Sequence, residues 1–485
     1  MVTTPGSESF ANRALTRIVA TLGPASGSPE RIAELIAAGV DVFRINLAHG
    51  DRTAHEALLR QVRQVSGALR QPVGVLIDLA GPKIRLGHLF ESPTQCDEGE
   101  EFLFVRGTTA PAPRALVSNY AALVDELEVG DKVLLADGAV AMVIIEKTRD
   151  HARARVVNAG SIDHRQGINL PGVKLSIPTL SAKDLENAAW AAEAGVDMVG
   201  MSFVREASAV EALTELLRQR GSRARVIAKI EKPEALENLE AIVAASGGVM
   251  VARGDLGVEI DVAEIAVAQK RIIKTANRLG KPVIVATQML DSMQRSRRPT
   301  RAEATDVANA ILDGADACML SGETAVGAFP RETVEMMNRI MRATEKLLPQ
   351  HPDAHATPDT LEGVSPVTAS VVFGAGRIAQ FLGAKLVAVA TRSGATALAR
   401  AKMRDPIPTL AASDDPITLR HLGLFWGITA LSDAPVGDPA AFIAFVERWA
   451  LAQGAAASGD KIVFIIGSGL TGGGATNQIV VHEIA

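Results

Sequence analysis

The sequence predicts an α/β protein: a (β/α)8 barrel of the TIM type, an inserted β-barrel lid domain, and a C-terminal α/β domain. Three observations predict it. Short apolar runs alternate with amphipathic helical stretches until eight runs have been counted. The runs are apolar throughout, as parallel strands buried on both faces are. The alternation breaks between about Ile84 and Leu170, where charges alternate with valines, turn residues recur and no long helical pattern appears. At about 150 residues per domain, 485 residues leave room for three such units. An open doubly wound sheet is the competing arrangement for the same alternation.

Taken in order, Thr16 to Gly23 reads as the first strand, and Ser28-Pro29 opens a helix with a cap and a first-turn proline. Val42 to Ala48 and Val73 to Ala80 are the next strands, separated by a helix between Arg52 and Leu69. After the insertion, Ser181-x-x-Asp184 forms a capping box. Five strands follow, at Asp197 to Phe203, Arg225 to Glu231, Gly248 to Asp255, Pro282 to Gln288 and Ala315 to Ser321. Four more are expected in the last unit, at Lys385 to Thr391, Ile407 to Ala412, Gly427 to Ser432 and Lys461 to Gly467. The expected division is a tail (1–14), a barrel (15–83 and 172–348), a lid (84–171), a linker (349–366) and a C-terminal domain (367–485).

Composition excludes several functions. Fifty basic against fifty-five acidic residues give a net charge of −5, too weak and too mixed to coat nucleic acid or an anionic membrane. Aromatics at 4% argue against base stacking. Cys96 and Cys318 lack any paired spacing, so neither a disulfide framework nor a zinc site is suggested, and a reducing compartment fits. Met1 to Arg13 lacks the apolar stretch of a secretory signal, and no run of 18 apolar residues occurs. A cytoplasmic protein with no membrane or nucleic-acid partner is expected.

In such a barrel the active site lies where strands end and loops to the helices begin. The polar residues at those ends are Arg44, Asn46, Asp78, Lys229, Glu231, Asp255, Thr287, Ser321 and Glu323, with Arg85 nearby. Two carboxylates, Glu231 and Asp255, together with ligand phosphate oxygens suit Mg²⁺, a hard cation that keeps several waters. Arg44 and Arg85 can brace phosphate bidentately. Ala252-Arg253-Gly254-Asp255-Leu256-Gly257 places a glycine-rich turn after a strand, where amides can point at an anion. The set points to a metal-bound anionic phosphate.

Longer motifs carry a resemblance. They are Arg44-Ile-Asn46 with His49-Gly50, Asp78-Leu-Ala-Gly-Pro-Lys83-Ile-Arg85, Asn169-Leu-Pro-Gly172, Lys229-Ile-Glu231, Met250 to Ile260, Ala286 to Met293, Arg298 to Glu303 and Met319 to Thr324. The chain resembles the pyruvate kinase family over the barrel, the insertion and, more weakly, the C-terminal unit. The resemblance implies phosphoryl transfer from phosphoenolpyruvate to ADP, giving ATP and an enolate that is protonated to pyruvate. It implies that Glu231 and Asp255 hold Mg²⁺ or Mn²⁺, Lys229 stabilises the transferring phosphoryl group, and Arg44 and Arg85 brace it. Gly254, Asp255 and Thr287 would hold the substrate carboxylate, and water near Thr287 and Ser321 would deliver the proton. Arg44, Asn46, His49 and Arg85 are expected on the nucleotide side, and a homotetramer is expected. For Thr287, Ser321 and His49, an ordinary strand residue, a helix cap and a packed histidine stay open as alternatives.

The chain departs from the family at the monovalent-cation site. Members that require K⁺ hold it with an asparagine, a serine, an aspartate and a threonine. Asn46 and Asp78 are kept here, but Ala48 and Leu79 replace the hydroxyls, and Lys83 replaces the glutamate of G-P-E-I-R. Lys83, beside Asn46 and Asp78, is expected to supply the charge of K⁺, so K⁺ is not expected to be required. Gln166 and Val326 stand where lysines are common near the nucleotide. Thr391-Arg392-Ser393-Gly394-Ala395-Thr396 resembles the family's effector loop for phosphorylated metabolites, over which the glycine-rich Gly467 to Gly474, before Ala475-Thr476-Asn477, is expected to close. Two other functions remain open: a Mg²⁺-dependent lyase or aldolase using pyruvate, and a catalytically silent regulatory binder.

Overall fold

The computed structural model describes residues 13–173, 175–348, 361, 363–467 and 476–485. Its centre is a closed barrel of eight parallel strands: Arg17–Thr21, Val42–Asn46, Gly74–Asp78, Met198–Met201, Arg225–Ile230, Gly248–Ala252, Val283–Ala286 and Ala317–Leu320. Each strand pairs with its sequence neighbours, and the first closes on the last through Arg17 opposite Ala317. The alternative of an open sheet is thereby excluded. Nearly every strand residue is buried, as a layer covered by side chains inside and helices outside demands.

Local chemistry sets the helices. Ser28 Oγ accepts from Arg31 N at the start of helix Pro29–Ala38, which stops at Gly39 in the left-handed region (φ +120°). The capping box forms at helix Ala182–Glu193, and Asp184 also accepts from Gly81 N at 3.2 Å, tying the barrel to the chain that leaves it. Gly81 adopts φ +69°, and a Cβ there would stand 2.6 Å from Phe203 Cδ2, so glycine is required where the chain turns toward the insertion.

Between the third and fourth barrel strands, six strands in the order Ile168–Asn169, Lys132–Leu135, Val140–Lys147, His151–Asn158, Glu101–Val105 and Ala115–Leu116 form a separate sheet. Thr94–Cys96 and Gly160–Ile162 make a ribbon beside it. Phe102, Phe104, Val133, Leu135, Met142 and Ile144 belong to its own apolar core.

The C-terminal sheet runs Ile428–Leu431, Thr409–Ala412, Leu386–Ala390, Lys461–Gly467, Thr476–Glu483. The first four are parallel and match the expected strands; the fifth, antiparallel, was not anticipated. It is an edge strand with only Thr476 buried, so it lacks the continuous apolar run that marks its neighbours. The segment expected to close over the effector loop, Gly467 to Gly474, lies outside the described residues beyond Gly467, as does most of the expected linker. One apolar core runs from the barrel into this unit through Phe425, Val387 and Ala411. Among the described residues no helix is long and apolar enough to cross a membrane.

Candidate active site

Five strand ends bring a charged cluster together at the C-terminal mouth of the barrel. Asp78 ends the third strand, and Arg44, on the second, donates to its Oδ2 from Nε at 2.9 Å and Nη2 at 2.5 Å. Lys229, near the end of the fifth, lies 3.5 Å from Asp78 Oδ2 and 3.5 Å from Glu231 Oε2, and donates to Ser202 Oγ at 2.7 Å. Ser202 in turn donates to the Leu79 carbonyl at 2.8 Å. Thr21, at the end of the first strand, accepts from Arg44 Nη1 at 3.2 Å.

Burial sets the electrostatics. Burial alone would raise the Asp78 carboxyl, but Lys229 and Arg44 hold it below its ordinary value. Burial would likewise lower the Lys229 ammonium, yet Asp78 and Glu231 keep it above its ordinary value. Glu231 has no exposed surface and is pushed up to about 7, first by burial and then by the charge of Asp255, against the pull of Lys229. Its Oε1 accepts from Phe203 N at 2.6 Å, while among the described residues its Oε2 has no hydrogen-bond partner, and Asp78 Oδ1 and Ser321 Oγ are also buried without one. Buried polar atoms are ordinarily satisfied, so three unsatisfied ones at one mouth mark a place where a ligand completes the set.

Glycine makes room for this arrangement: a Cβ at Gly200 would stand 2.6 Å from Asp78 Oδ1. Gly200, Ser202 and Thr21 were not among the expected residues. Small residues at strand ends carry no spacing signature, and only the closed barrel shows what they face.

Thr287 is no ordinary strand residue. It follows the seventh strand with φ +71°, a marked outlier for a β-branched side chain. Its Oγ1 donates to the Ala286 carbonyl at 2.6 Å and accepts from Gly254 N at 2.8 Å. Arg253 pins its carbonyl at 2.7 Å and is anchored by Asp306 at 2.6 Å. Arg253 was also unanticipated, although it stands inside a quoted motif. The expected glycine-rich turn is a helix, Arg253–Glu259, which carries Gly254 and Asp255 in its first turn, so Asp255 lies beyond the strand. Ser321 precedes helix Gly322–Ala325, but its hydroxyl makes no cap bond; its backbone N–H donates to Glu323 Oε2 at 2.7 Å.

Other expected residues lie elsewhere. Lys83 makes no hydrogen bond with Asn46 or Asp78 among the described residues; Gly81 turns the chain so that its ammonium lies 3.4 Å from Asp255 Oδ1 and 3.9 Å from Asp137 Oδ1. Asn46 Oδ1 accepts from Ala48 N at 3.1 Å. Arg85 travels with the insertion: its backbone bridges Gly167, its N–H donates to Asn119, and its guanidinium donates to the Arg165 carbonyl at 3.1 Å. Lys83 and Arg85 line a cleft of about 370 Å³ with Asp137, His164, Arg165 and Gln166. His49 is exposed, and its carbonyl accepts from the buried His55.

In the C-terminal unit, Gly394 (φ +82°) precedes helix Ala395–Lys402, and its N–H donates to Thr391 Oγ1 at 3.1 Å. Thr396 is buried against Thr476 at 3.2 Å. Arg392 and Ser393 are exposed.

A divalent cation fits the chemistry of the mouth. Glu231 offers an orphaned carboxylate oxygen, and Asp255 is near enough to raise its pKa. Among the described residues no group of three His, Cys, Asp or Glu side chains could hold a metal, so a cation at this mouth would take part of its shell from water or ligand oxygens.

Comparison with known proteins shows the family. Residues 13–334 match the family model described as pyruvate kinase, barrel domain, and residues 369–482 match pyruvate kinase, alpha/beta domain. A pyruvate kinase of Mycobacterium intracellulare is 42% identical over 468 residues, covering 96% of this chain and 98% of its own. One from Corynebacterium glutamicum is 41% identical over 469 residues, with 96% and 97% covered. The crystal structure of a pyruvate kinase from Cryptosporidium parvum superposes with a TM-score of 0.90 at 31% identity, over 98% of this chain and 97% of that one. The chain belongs to the pyruvate kinase family and is a phosphotransferase.

Proposed function

We propose that the chain transfers the phosphoryl group of phosphoenolpyruvate to ADP, releasing pyruvate and ATP. The observation that carries this is the Lys229 ammonium, held 3.5 Å from both Asp78 and Glu231, beside a Glu231 oxygen that has no hydrogen-bond partner among the described residues. Lys229 is a buried point charge placed to stabilise the transferring group, and Asp78 and Ser202 orient it. Arg44 is fixed by Asp78 and braces phosphate oxygens. The Thr287 hydroxyl and the Gly254 amide, which bond within the chain here, to the Ala286 carbonyl and to Thr287 Oγ1, would turn to the substrate carboxylate when it binds, with Asp255 in the same helical turn. The unpartnered Ser321 hydroxyl is placed to hold the water that protonates the enolate. Glu231 and Asp255 would hold Mg²⁺ or Mn²⁺, which supplies polarisation and charge neutralisation when bound.

Arg85 and His49, with Arg44 and Asn46, are assigned to the nucleotide side. Arg85 reaches the mouth when the insertion closes, excluding water from the transfer. K⁺ is not required in this reading: Ala48 and Leu79 offer no hydroxyl, and Lys83 tethers a positive charge to the rim of the mouth, 3.4 Å from Asp255 Oδ1. A homotetramer in the cytoplasm, with a phosphorylated metabolite bound at Arg392 and Ser393, completes the proposal. The free, buried Cys96 and Cys318 suit a reducing compartment.

Following pyruvate from phosphoenolpyruvate with and without ADP tests the reaction. Pyruvate should form only with ADP; formation without it would indicate a lyase, and none at all a silent binder. Replacing K⁺ by a tetraalkylammonium ion at constant ionic strength should change turnover by less than about twofold, because the Lys83 charge is covalent; a loss of orders of magnitude overturns K⁺ independence.

A further inference from the structure

Three parts of the chain meet at Lys83: the junction that leaves the barrel, helix Arg253–Glu259, and a loop of the insertion. Lys83 Nζ stands 3.4 Å from Asp255 Oδ1 on the helix and 3.9 Å from Asp137 Oδ1 on the loop. The loop is strained where it presents Asp137: Ala136 and Asp137 adopt φ +52° and +53°, and Gly138 follows at +90°. Non-glycine residues persist in that region only where their surroundings demand it, and they cluster at switches and clamps. A Cβ at Gly138 would stand 3.8 Å from Val258 of the same helix, so the loop rests on it. At the far end of the helix, Glu259 Oε1 accepts from Asn169 of the insertion at 3.0 Å and from Lys232 at 2.7 Å. The insertion thus touches the helix at both ends, and at one end the contact runs through Asp255, a cation ligand in the reading above.

We propose that Lys83 is a latch: its ammonium competes with the divalent cation for Asp255 and, through Asp137, couples that competition to the position of the lid. This rests on the assignment of Glu231 and Asp255 as cation ligands. A dication on the Asp255 carboxylate would lie within a few ångströms of the ammonium, and like charges that close repel strongly in a partly desolvated site. The ammonium sits on a flexible four-carbon stem and can leave. The space it moves into is the cleft lined by Asp137, Arg85, His164 and Arg165, where its charge adds to those of the arginines toward nucleotide phosphates. Cation binding therefore breaks the link that runs from helix Arg253–Glu259 through Lys83 to loop Ala136 to Gly138, freeing the loop from the helix, and makes the cleft more cationic. Lys83 is a positioning residue in this scheme.

Direct Mn²⁺ titration of the full chain without substrates, read by electron paramagnetic resonance of free Mn²⁺, tests it. Lys83→Met should bind Mn²⁺ roughly tenfold more tightly than the wild type, and Lys83→Gln should behave alike if the methionine variant does not fold. Amide exchange in residues 131–138 should quicken when Mn²⁺ binds the wild type and should not respond in Lys83→Met. Unchanged or weaker Mn²⁺ binding in both variants overturns the latch alone. Failure of the wild type to bind Mn²⁺ overturns the cation assignment and the latch with it.

Discussion

The two ends of the barrel both hold buried aspartates paired with cations, yet they are finished differently. At the N-terminal end, Asp41, Asp197 and Asp316 each precede a strand and accept a backbone N–H from the neighbouring strand, of Ile18, Val75 and Val283. Cations take the rest: Arg17 and Arg13 at Asp41, Arg63 and Arg420 at Asp197, Lys402 at Asp316 with Arg404 at 3.1 Å. Arg420, Lys402 and Arg404 come from the C-terminal unit, so this end is a seam between domains. Both carboxylate oxygens of Asp41 and of Asp197 accept hydrogen bonds, and the remaining oxygen of Asp316 has the Arg404 charge against it. At the opposite end Asp78, Glu231 and Ser321 keep unpartnered atoms. Among the described residues Asp316 Oδ1 lacks a hydrogen bond as well, so neither charge nor one missing partner separates a site from a fastener. What differs is where the cations come from: at the seam a second domain supplies Arg420, Lys402 and Arg404, whereas at the mouth Arg44 and Lys229 stand on the barrel's own strands.

Removing a charge from each end should break the comparison in opposite ways. Lys229→Met should lower turnover by at least about 10²- to 10³-fold, the scale of one preorganised electrostatic donor, with the far-ultraviolet circular dichroism spectrum preserved. A coupled phosphoenolpyruvate–ADP assay checks it, and turnover within tenfold of the wild type would deny Lys229 its role. Asp197→Ala should do the reverse. It leaves Arg63 and Arg420 without their shared carboxylate, and denaturant unfolding should show a loss of about 3–5 kcal/mol. The Michaelis constant for phosphoenolpyruvate should stay within about twofold in the folded enzyme, because the seam makes no contact with substrate. A large catalytic defect with unchanged stability would erase the distinction.

A smaller effect sharpens it. His421 is buried at the seam, its Nε2 bonded to the Asp197 carbonyl at 2.9 Å, and burial followed by the charge of Arg225 lowers it to about 4. A histidine that titrates near 6.5 when unfolded and near 4 when folded is neutral in the native state. Its contribution is therefore present above about pH 6.5 and is lost as the pH falls through 4, amounting to about 3 kcal/mol over that window. Stability of the wild type measured from pH 7 to 4 should fall more steeply than that of His421→Gln by this amount; equal slopes would mean that the imidazole is charged in the fold.

The sequence by itself determined the barrel and its interruption, because eight apolar runs of strand length separated by amphipathic stretches have few other ways to bury themselves. It also determined the charged residues of the mouth, since Lys229, Glu231, Asp255, Arg44 and Asp78 stand at or just beyond strand ends where such folds place their chemistry. Tertiary structure alone decided which of them meet. Lys83 and Asp255 are 172 positions apart, and no local pattern states that Gly81 turns the ammonium toward Asp255 rather than toward Asp78. It alone revealed the residues without charge that shape the site, Gly200 by having no side chain, Ser202 by linking Lys229 to the Leu79 carbonyl and Thr287 by holding a strained backbone. The edge strand Thr476–Glu483 was hidden for a related reason: largely unburied, it owes its place to pairing with Lys461–Gly467, and pairing is a property of two segments that neither carries alone.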